Sequence, residues 1–453
     1  MQRTTRQLAR AILALSLISG DSPGQEAPAL SHPLSLNECV RIAVEKNPSA
    51  ASALHSGSAA LANVGISRAA YWPTLGINGS LSQSLLRRQN ESSDSTYNGI
   101  TSSAATFSGQ YDLWDSGRRK AALEEARTSY QASDARYATT LQDLALSVES
   151  AYFSVQGAEW VLAVAQDTLK QADFHLDMAR TRNEVGLAPR SDVLKATTAQ
   201  ADARLGVIQA ESLVASTRSN LAILMGFSAD TSVQVLPAER DVALPELPDW
   251  ASGWQQAQTS LPELRAAEQT AESFRFSYLG AKAAYRPTVT ASGSAGILGA
   301  DDWPDQDEWR LGVSLNIPVF TGYENKYRVL QAREAWQSAR ADVQSTLLTA
   351  ERNAYEARIA LSQALQSVVA ANAYVASAQE NSDVAEGQYQ NGLGSMLDVV
   401  DATTSLATAK LRLISARLSV ATARAAWERA TGKNLLGGIA IPSTSAQLTD
   451  GDK

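Results

Sequence analysis

Four stretches of the chain alternate between apolar residues and small or polar ones. Between Arg310 and Phe320, every second residue from Leu311 to Val319 is apolar. An alternation with period two predicts a β-strand with one apolar face. The other three stretches carry their apolar side chains at Leu75, Ile77, Leu81 and Leu85, at Phe107, Tyr111 and Leu113, and at Val289, Ala291, Ala295 and Ile297.

The predicted strands have two interpretations, a half-buried sheet in a soluble protein and the wall of a membrane barrel. Strands of about ten residues with a single apolar face fit both. Trp72, Trp114, Trp303 and Trp309 lie at or near the strand ends. Tryptophan concentrates where a membrane meets water, so these positions favour the barrel.

Long helices dominate the rest of the chain. The stretch from about Ser116 to Glu184 predicts one helix on the order of 100 Å long. In the second half, apolar residues recur in alternating steps of four and three, which is the heptad seam of a left-handed coiled coil. Ile359, Leu365 and Val369 lie off this seam and indicate a second contact face, which allows a closed tube as well as an ordinary dimeric coiled coil. The seam consists of Val343, Leu347, Ala350, Ala354, Ala357, Leu361, Ala364, Val368, Ala371, Val375 and Ala378.

The sequence contains an internal duplication. VGLAPRSDVLKA, starting at Val185, matches NGLGSMLDVVDA, starting at Asn391, and AYWPTLGINGS matches AYRPTVTASGS. We therefore predict two structural repeats, residues 34–236 and 251–435, each with the order helix, strand, strand, long helix, helix. A linker at residues 237–250 joins them, and residues 436–453 form a flexible tail. The polar run from Arg87 to Gly99 is predicted to be a loop.

The strand count requires association of several chains. Four strands are too few to close a barrel, for which about eight is the practical minimum. Two chains would supply eight strands and three would supply twelve, and strand counting does not choose between them.

Charge and the N-terminus restrict the class of protein. The net charge of −8 argues against a nucleic-acid surface, which needs clustered Lys and Arg. Arg3, Arg6 and Arg10 precede the apolar run from Ala11 to Ile18, the layout of a secretory signal peptide, which we place at residues 1–24. Charged or amide residues interrupt every later apolar stretch, so no membrane-spanning helix is expected.

Candidate catalytic chemistry is scarce. Cys39 is the only cysteine and lies on the apolar face of a predicted helix. The three histidines, His32, His55 and His175, are scattered along the chain. No catalytic residue, cofactor site or metal site is predicted, and an enzyme is not expected.

The duplicated motifs, together with KNP before the first outer helix, resemble the TolC family of outer-membrane efflux and secretion channels, over almost all of residues 34–432. The resemblance implies a mostly α fold with a small antiparallel β part. Each chain would contribute four strands to a trimeric 12-stranded outer-membrane β-barrel, which contacts outer-membrane lipid. Long coiled-coil helices would continue the barrel as an α-helical tunnel in the periplasm.

The resemblance also implies partners. They are a periplasmic adaptor (membrane fusion) protein and an inner-membrane pump of the RND, ABC or MFS type, in an efflux or type I secretion system. The alternative function is a secreted, elongated coiled-coil scaffold without a pore. The transported substrate stays open.

In the family, the tight turns between paired helices lie at the periplasmic tip of the tunnel, where the adaptor docks. Glycine permits the left-handed backbone that ends a helix, and Ser191 or Ser395 can cap the returning helix. The corresponding docking residues are Gly186, Leu187, Gly392, Leu393 and Ser395.

Beside the second turn, Asp398 and Asp401 are three residues apart, so they share a helix face. The resemblance places them at the narrowest point of the trimer, as two stacked rings of acids that favour cations. A solvated acidic helix face is the alternative. The first repeat has Asp192 and Lys195 at these positions, so the acid pair is not duplicated.

The resemblance also assigns a closed-state latch. Ser191, Asp192 and Tyr389 match residues whose contacts hold the family's tunnel closed. Gly394 stands where some members carry an arginine, so that part of the latch is either missing or replaced by Arg190 from the other turn.

Overall fold

A computed structural model describes residues 32–89, 95–237, 244–300 and 306–433. The predicted signal peptide, the C-terminal tail, Trp303 and part of the linker lie outside these ranges. The first half contains α1 (Leu36–Lys46), α2 (Pro48–Ala69), β1 (Thr74–Gln89), β2 (Ser95–Trp114), α3 (Arg118–Glu184) and α4 (Arg190–Leu224). The second half contains α5 (Trp250–Ser260), α6 (Pro262–Ala283), β3 (Thr288–Ala300), β4 (Gln306–Asn316), α7 (Glu324–Gln390) and α8 (Met396–Ala430).

The helices of the two halves have equal lengths. Both halves run through helices of 11, 22, 67 and 35 residues in the same order. Each half begins with two helices instead of the single one expected, because a proline interrupts the helix after Asn47 and after Leu261. The Asn47 side chain caps α2 by accepting a hydrogen bond from the Ser49 amide at 2.8 Å.

The four strands form one antiparallel sheet in the order β1-β2-β3-β4. The pairing of β2 with β3 joins the two halves, and each edge strand has one unpaired side within the chain. The alternation predicted from the sequence is confirmed, since one face carries exposed apolar side chains. They include Leu75, Ile77, Leu81, Phe107, Trp309, Leu311, Val313 and Leu315.

Two strand boundaries differ from the prediction. The run from Arg87 to Gly99 is largely strand, because Arg87 pairs with Tyr97 and Gln89 with Ser95; residues 90–94 lie outside the described ranges. Polar composition misled here because a strand is defined by its ladder partners, and polar residues pair as well as apolar ones. At the other hairpin, β4 ends at Asn316 and not at Phe320, since Pro318 has no amide hydrogen for the ladder.

The long helices pack side by side. α3 contacts α2, α4, α6 and α8, and α7 contacts α6 and α8. The heptad seam of α7 is confirmed by the burial of eight of its members, among them Ala354, Leu361 and Val368. Of the off-seam residues, Leu365 packs against the cluster around Leu361, whereas Ile359 and Val369 stay exposed. A second apolar stripe of α7 is therefore open for another contact.

The middle of α3 carries the largest apolar cluster, which also includes residues of α1, α2 and α4. Cys39 is fully buried in this cluster, as expected. Burial raises the pKa of its thiol to about 12, so the side chain is an inert apolar filler.

One described helix meets the length and hydropathy criteria for a membrane span, which does not overturn the expectation that no helix crosses the bilayer. Among the described residues, α7 contains an apolar window long enough to cross a bilayer. The window is rich in alanine and lies within a 67-residue helix that packs along α6 and α8. A single match of this kind is weak evidence for a membrane span.

Candidate functional site: the paired helix turns

Two tight turns reverse the chain at the end of the helical rods. Gly186 and Gly392 both have a φ of 76°, in the left-handed region. In the first turn, the Leu187 amide donates to the Arg182 carbonyl at 2.8 Å and the Gly186 amide donates to the Asn183 carbonyl at 3.0 Å. In the second turn, the Leu393 amide donates to the Gln388 carbonyl and the Gly392 amide to the Tyr389 carbonyl. Each turn is thus a Schellman motif, which needs glycine because a side chain at this φ is strained.

The tips of both turns are apolar and open. Leu187 is 70% exposed and Leu393 is 83% exposed. Val185 and Leu397 flank them and are also exposed. Large exposed aliphatic side chains at the end of a rod indicate a contact surface for another molecule.

The two returning helices begin differently. Ser395 caps α8, with its side chain accepting from the Asp398 amide while the Asp398 carboxylate accepts from the Ser395 amide at 2.9 Å. At the first turn Pro189 occupies the cap position and no side chain caps α4. The expectation that Ser191 caps α4 is wrong, because the helix already begins at Arg190.

The acid pair on α8 is exposed, with both side chains on the solvent-facing side of the single chain. Asp398 takes part in the cap of α8. The hydrogen bond from the Ser395 backbone amide, and to a smaller extent the one from the Ser395 hydroxyl, lower the pKa of the Asp398 carboxyl. Asp401 forms no side-chain hydrogen bond or ion pair with any residue that the structure describes. The two carboxylates are therefore distinct, one fixed by the backbone and one free.

A buried polar contact joins the two turns. Tyr389 is 3% exposed and Asp192 is 8% exposed. The Arg182 guanidinium lies 5.1 Å from the centre of the Tyr389 ring, and its Nη1 donates to the Gln390 carbonyl at 2.8 Å. Burial first, and then the charge of Asp192, raise the pKa of the Tyr389 hydroxyl, while Arg182 opposes the shift.

Arg182 was missed by the sequence analysis, which named Arg190. Arg190 is exposed and pairs with no group in the described ranges. Arg182 instead lies in the last turn of α3, where basic residues are favoured by the free carbonyls of a helix end. A basic residue in the last turn of α3 was the signal available in the sequence. The facing end of α7 also presents free carbonyls, which such a residue can bind.

A second polar side chain, His175, lies on the same side of α3, seven residues before Arg182. His175 is buried, and its Nδ1 has no partner among the described residues. Burial lowers the pKa of the His175 imidazole, and Glu386 on α7 opposes the shift.

A sheet with an exposed apolar face at one end, and rods that end in tight turns at the other, define an outer-membrane channel subunit with a helical tunnel. The profile of the family described as "Outer membrane efflux protein" matches residues 40–227 and 253–433, which covers both repeats. The chain belongs to this family, which is the TolC family. It is an outer-membrane channel component of efflux systems, with its helical tunnel in the periplasm.

Individual relatives agree with this assignment. The chain is 28% identical over 385 residues to the toluene efflux pump outer membrane protein TtgC of Pseudomonas putida, covering 81% of this chain and 76% of that protein. It is 27% identical over 359 residues to the outer membrane protein TolC of Escherichia coli, covering 71% and 68%. The solved structure of the outer membrane protein VceC from Vibrio cholerae superposes with a TM-score of 0.75 at 20% identity, covering 89% of this chain and 97% of VceC.

Proposed function

We propose that three copies of this chain form one transport channel, with a 12-stranded barrel in the outer membrane. The observation that carries the proposal is the sheet, which has four strands, two open edges and an exposed apolar face. Pairing β1 of one copy with β4 of the next removes every edge at once. Trimers give twelve strands, within the range of outer-membrane barrels.

The internal duplication supports the same closure in the helical part. Within one chain, α3 packs against α6 and α8. By the repeat equivalence, α7 packs against α2 and α4 of the next copy. The exposed Ile359 and Val369 on α7, and Leu205 and Ile208 on α4, supply apolar surface for that contact.

Asp398 and Asp401 form the constriction of the channel in this proposal. Three copies bring six carboxylates together at the tip, where they attract cations and repel anions. Asp398 stays ionised because its pKa is lowered by the cap. The solvated acidic helix face is the competing hypothesis.

The latch of the closed channel consists of Asp192, Tyr389 and Arg182, with Ser191 at its edge. Arg182 takes the role expected of Arg190, because it already contacts Tyr389 and the end of α7. Opening the tip requires α7 to move away from α3, which exposes the buried Asp192 and Tyr389.

The apolar tips, with Gly186, Leu187, Gly392, Leu393 and Ser395, receive the periplasmic adaptor, which connects the channel to an inner-membrane pump of RND, ABC or MFS type. The name of the relative from P. putida specifies toluene as its cargo. We infer small organic molecules as the cargo class here, rather than secreted proteins.

Single-channel recording in planar bilayers tests the channel and its constriction together. In the double variant Asp398→Ala/Asp401→Ala, block by a multivalent cation and cation selectivity should both weaken, with the resting channel still mostly closed. Asp202→Ala/Glu211→Ala on α4 is the control, since it removes the same charge from exposed positions away from the turns. Unchanged block in the first variant means that the acids are a solvated face. Absence of any conductance from the wild-type assembly contradicts the channel itself.

A further inference from the structure

Where the strands join the helices, each repeat carries two basic and two aromatic residues at matching places. All eight side chains are exposed. We call this surface the junction belt. It consists of Arg68, Tyr71, Trp114 and Lys120 in the first repeat and of Lys282, Tyr285, Phe320 and Lys326 in the second.

The strand register puts the belt at one level of the sheet. Thr74 lies opposite Gln110, and Thr288 lies opposite Asn316, so the four helix-proximal strand ends are aligned. Trp114 pairs with Val289, which in turn pairs with Leu315. Paired residues share a face, so Trp114 lies on the exposed apolar face, at its border with the helices.

The belt is positively charged in an acidic protein. Segments 66–75, 111–120, 282–288 and 317–328 contain eight Lys or Arg residues against three Asp or Glu, although the whole chain has a net charge of −8. None of the four basic belt residues forms an ion pair with a residue in the described ranges. Arg119, in the same segment, is neutralised by Asp115 at 3.1 Å and stacks near Tyr71.

The two repeats keep the chemistry of the belt while its neighbours differ. Trp72 corresponds to Arg286, Asp115 to Thr321 and Arg119 to Asn325. The four belt positions, by contrast, stay basic or aromatic in both repeats. Both junctions therefore face the same kind of surroundings.

We propose that the junction belt binds the phosphate headgroups of anionic phospholipids, in the membrane leaflet that faces the helices. Exposed aromatic side chains settle at the headgroup level of a bilayer, and unpaired Lys and Arg beside them attract anionic headgroups. Trp114 continues the apolar face of the sheet at its helix end, so a lipid whose acyl chains cover that face places its phosphate at the level of the basic residues. This inference rests on the outer-membrane location of the protein and not on the proposed cargo or latch.

Lipid selectivity of the full-length assembly tests the proposal. The protein is reconstituted into phosphatidylcholine vesicles with a trace of spin-labelled phosphatidylglycerol or spin-labelled phosphatidylcholine, and the immobilised fraction of each label is compared. The wild type should prefer phosphatidylglycerol several-fold. Lys120→Gln/Lys326→Gln and Arg68→Gln/Lys282→Gln should each move this preference toward one, by about fivefold for each charge that contacts a headgroup.

Three controls separate the explanations. Lys170→Gln/Arg204→Gln removes the same charge from exposed positions on α3 and α4 far from the junction, and should keep the wild-type preference. Lys120→Arg/Lys326→Arg should also keep it, which excludes a folding defect.

An unchanged preference in both junction variants overturns the proposal, as does equal displacement of the labelled lipid by inorganic phosphate, which indicates a free-phosphate site. Loss of trimers in both variants, with no lipid preference in the wild type, indicates a contact between copies instead. None of these outcomes depends on conductance.

Discussion

The two helix turns share one backbone but differ in their side chains. Gly186 and Gly392 have the same φ, and the same pair of hydrogen bonds closes each Schellman motif. Beyond the glycine, the first turn has Pro189 and a buried Asp192, whereas the second has the cap formed by Ser395 and Asp398. Chain reversal thus requires only the glycine and its hydrogen bonds, and the remaining positions were free to specialise.

That specialisation makes the two turns complementary. Arg182 in the first repeat corresponds to Gln388 in the second, and Tyr389 corresponds to Asn183. The first turn therefore holds the cation and the second holds the aromatic ring. Their contact, at 5.1 Å, can form only between the repeats. A duplicated chain can therefore form a contact between its halves that neither half forms alone.

The largest expected effect follows from the shared backbone. Gly186→Val or Gly392→Val should abolish transport, because a β-branched residue at a φ of 76° costs at least about 1–2 kcal/mol and reshapes the tip. The mass of the assembly should be unchanged, because the barrel lies at the other end of the rods. An export assay combined with light scattering in detergent measures both.

Gly206→Val is the matched control for this experiment. Gly206 lies inside α4, and a Cβ there would meet nothing within 4 Å, as at Gly186. Its backbone is helical and it lies within the rod, so the comparison separates a valine at the left-handed turn from a valine added elsewhere on the helices. Normal transport in both turn variants would remove the tips from the docking site.

A smaller effect should separate the two arginines near the turns. Arg182→Gln removes a cation–π contact and a charged hydrogen bond, together about 2 kcal/mol, so the ratio of closed to open channels should fall by at least about tenfold. Arg190→Gln should leave resting conductance unchanged. Arg182→Lys should restore the closed state of the channel only in part, because lysine has no planar group to lie on the Tyr389 ring.

Planar-bilayer recordings without a pump or adaptor provide the measurement. Tyr389→Phe/Asp192→Ala should also raise resting conductance, with cation block at Asp398 and Asp401 retained. If Arg190→Gln opened the channel and Arg182→Gln did not, the exposed arginine would reach its partner in another copy, and the original sequence-based expectation would hold.

The sequence predicted the features that repeat along the chain and missed those that depend on one contact in space. The alternating strands, the seam from Ala350 to Ala378 and the two glycine turns follow from local periodicity and backbone chemistry. Arg182 could not be identified in this way, because its partner lies 208 residues away, at the Gln390 carbonyl. The strand at Arg87 was missed because its ladder partners, and not its composition, define it. Within one chain, the signs that three copies close into a trimer are the open edges of the sheet and the exposed apolar stripes of the helices.

The smallest expected effect concerns the caps. Ser395→Ala removes a side-chain cap and should destabilise the first turn of α8 by about 1 kcal/mol, which is about fivefold in local amide exchange. Ser191→Ala should leave amide exchange in the first turn of α4 unchanged, because Ser191 lies inside α4 and caps no helix. The cap also predicts a pH dependence with a definite sign. The folded-state pKa of Asp398 is lowered from its ordinary value of 3.8, so its contribution is fully present above that value and is lost as the pH falls through the folded-state pKa. Hydrogen exchange at residues 396–399, corrected for intrinsic rates, should therefore differ between wild type and Ser395→Ala at neutral pH, and the difference should narrow on acidification because only the bond from the Asp398 amide to the Ser395 hydroxyl is then retained. Equal protection in the two proteins at neutral pH would mean that the glycine turn alone holds α8, and the difference between the two turns would then lie entirely in the contact of Arg182 with Tyr389.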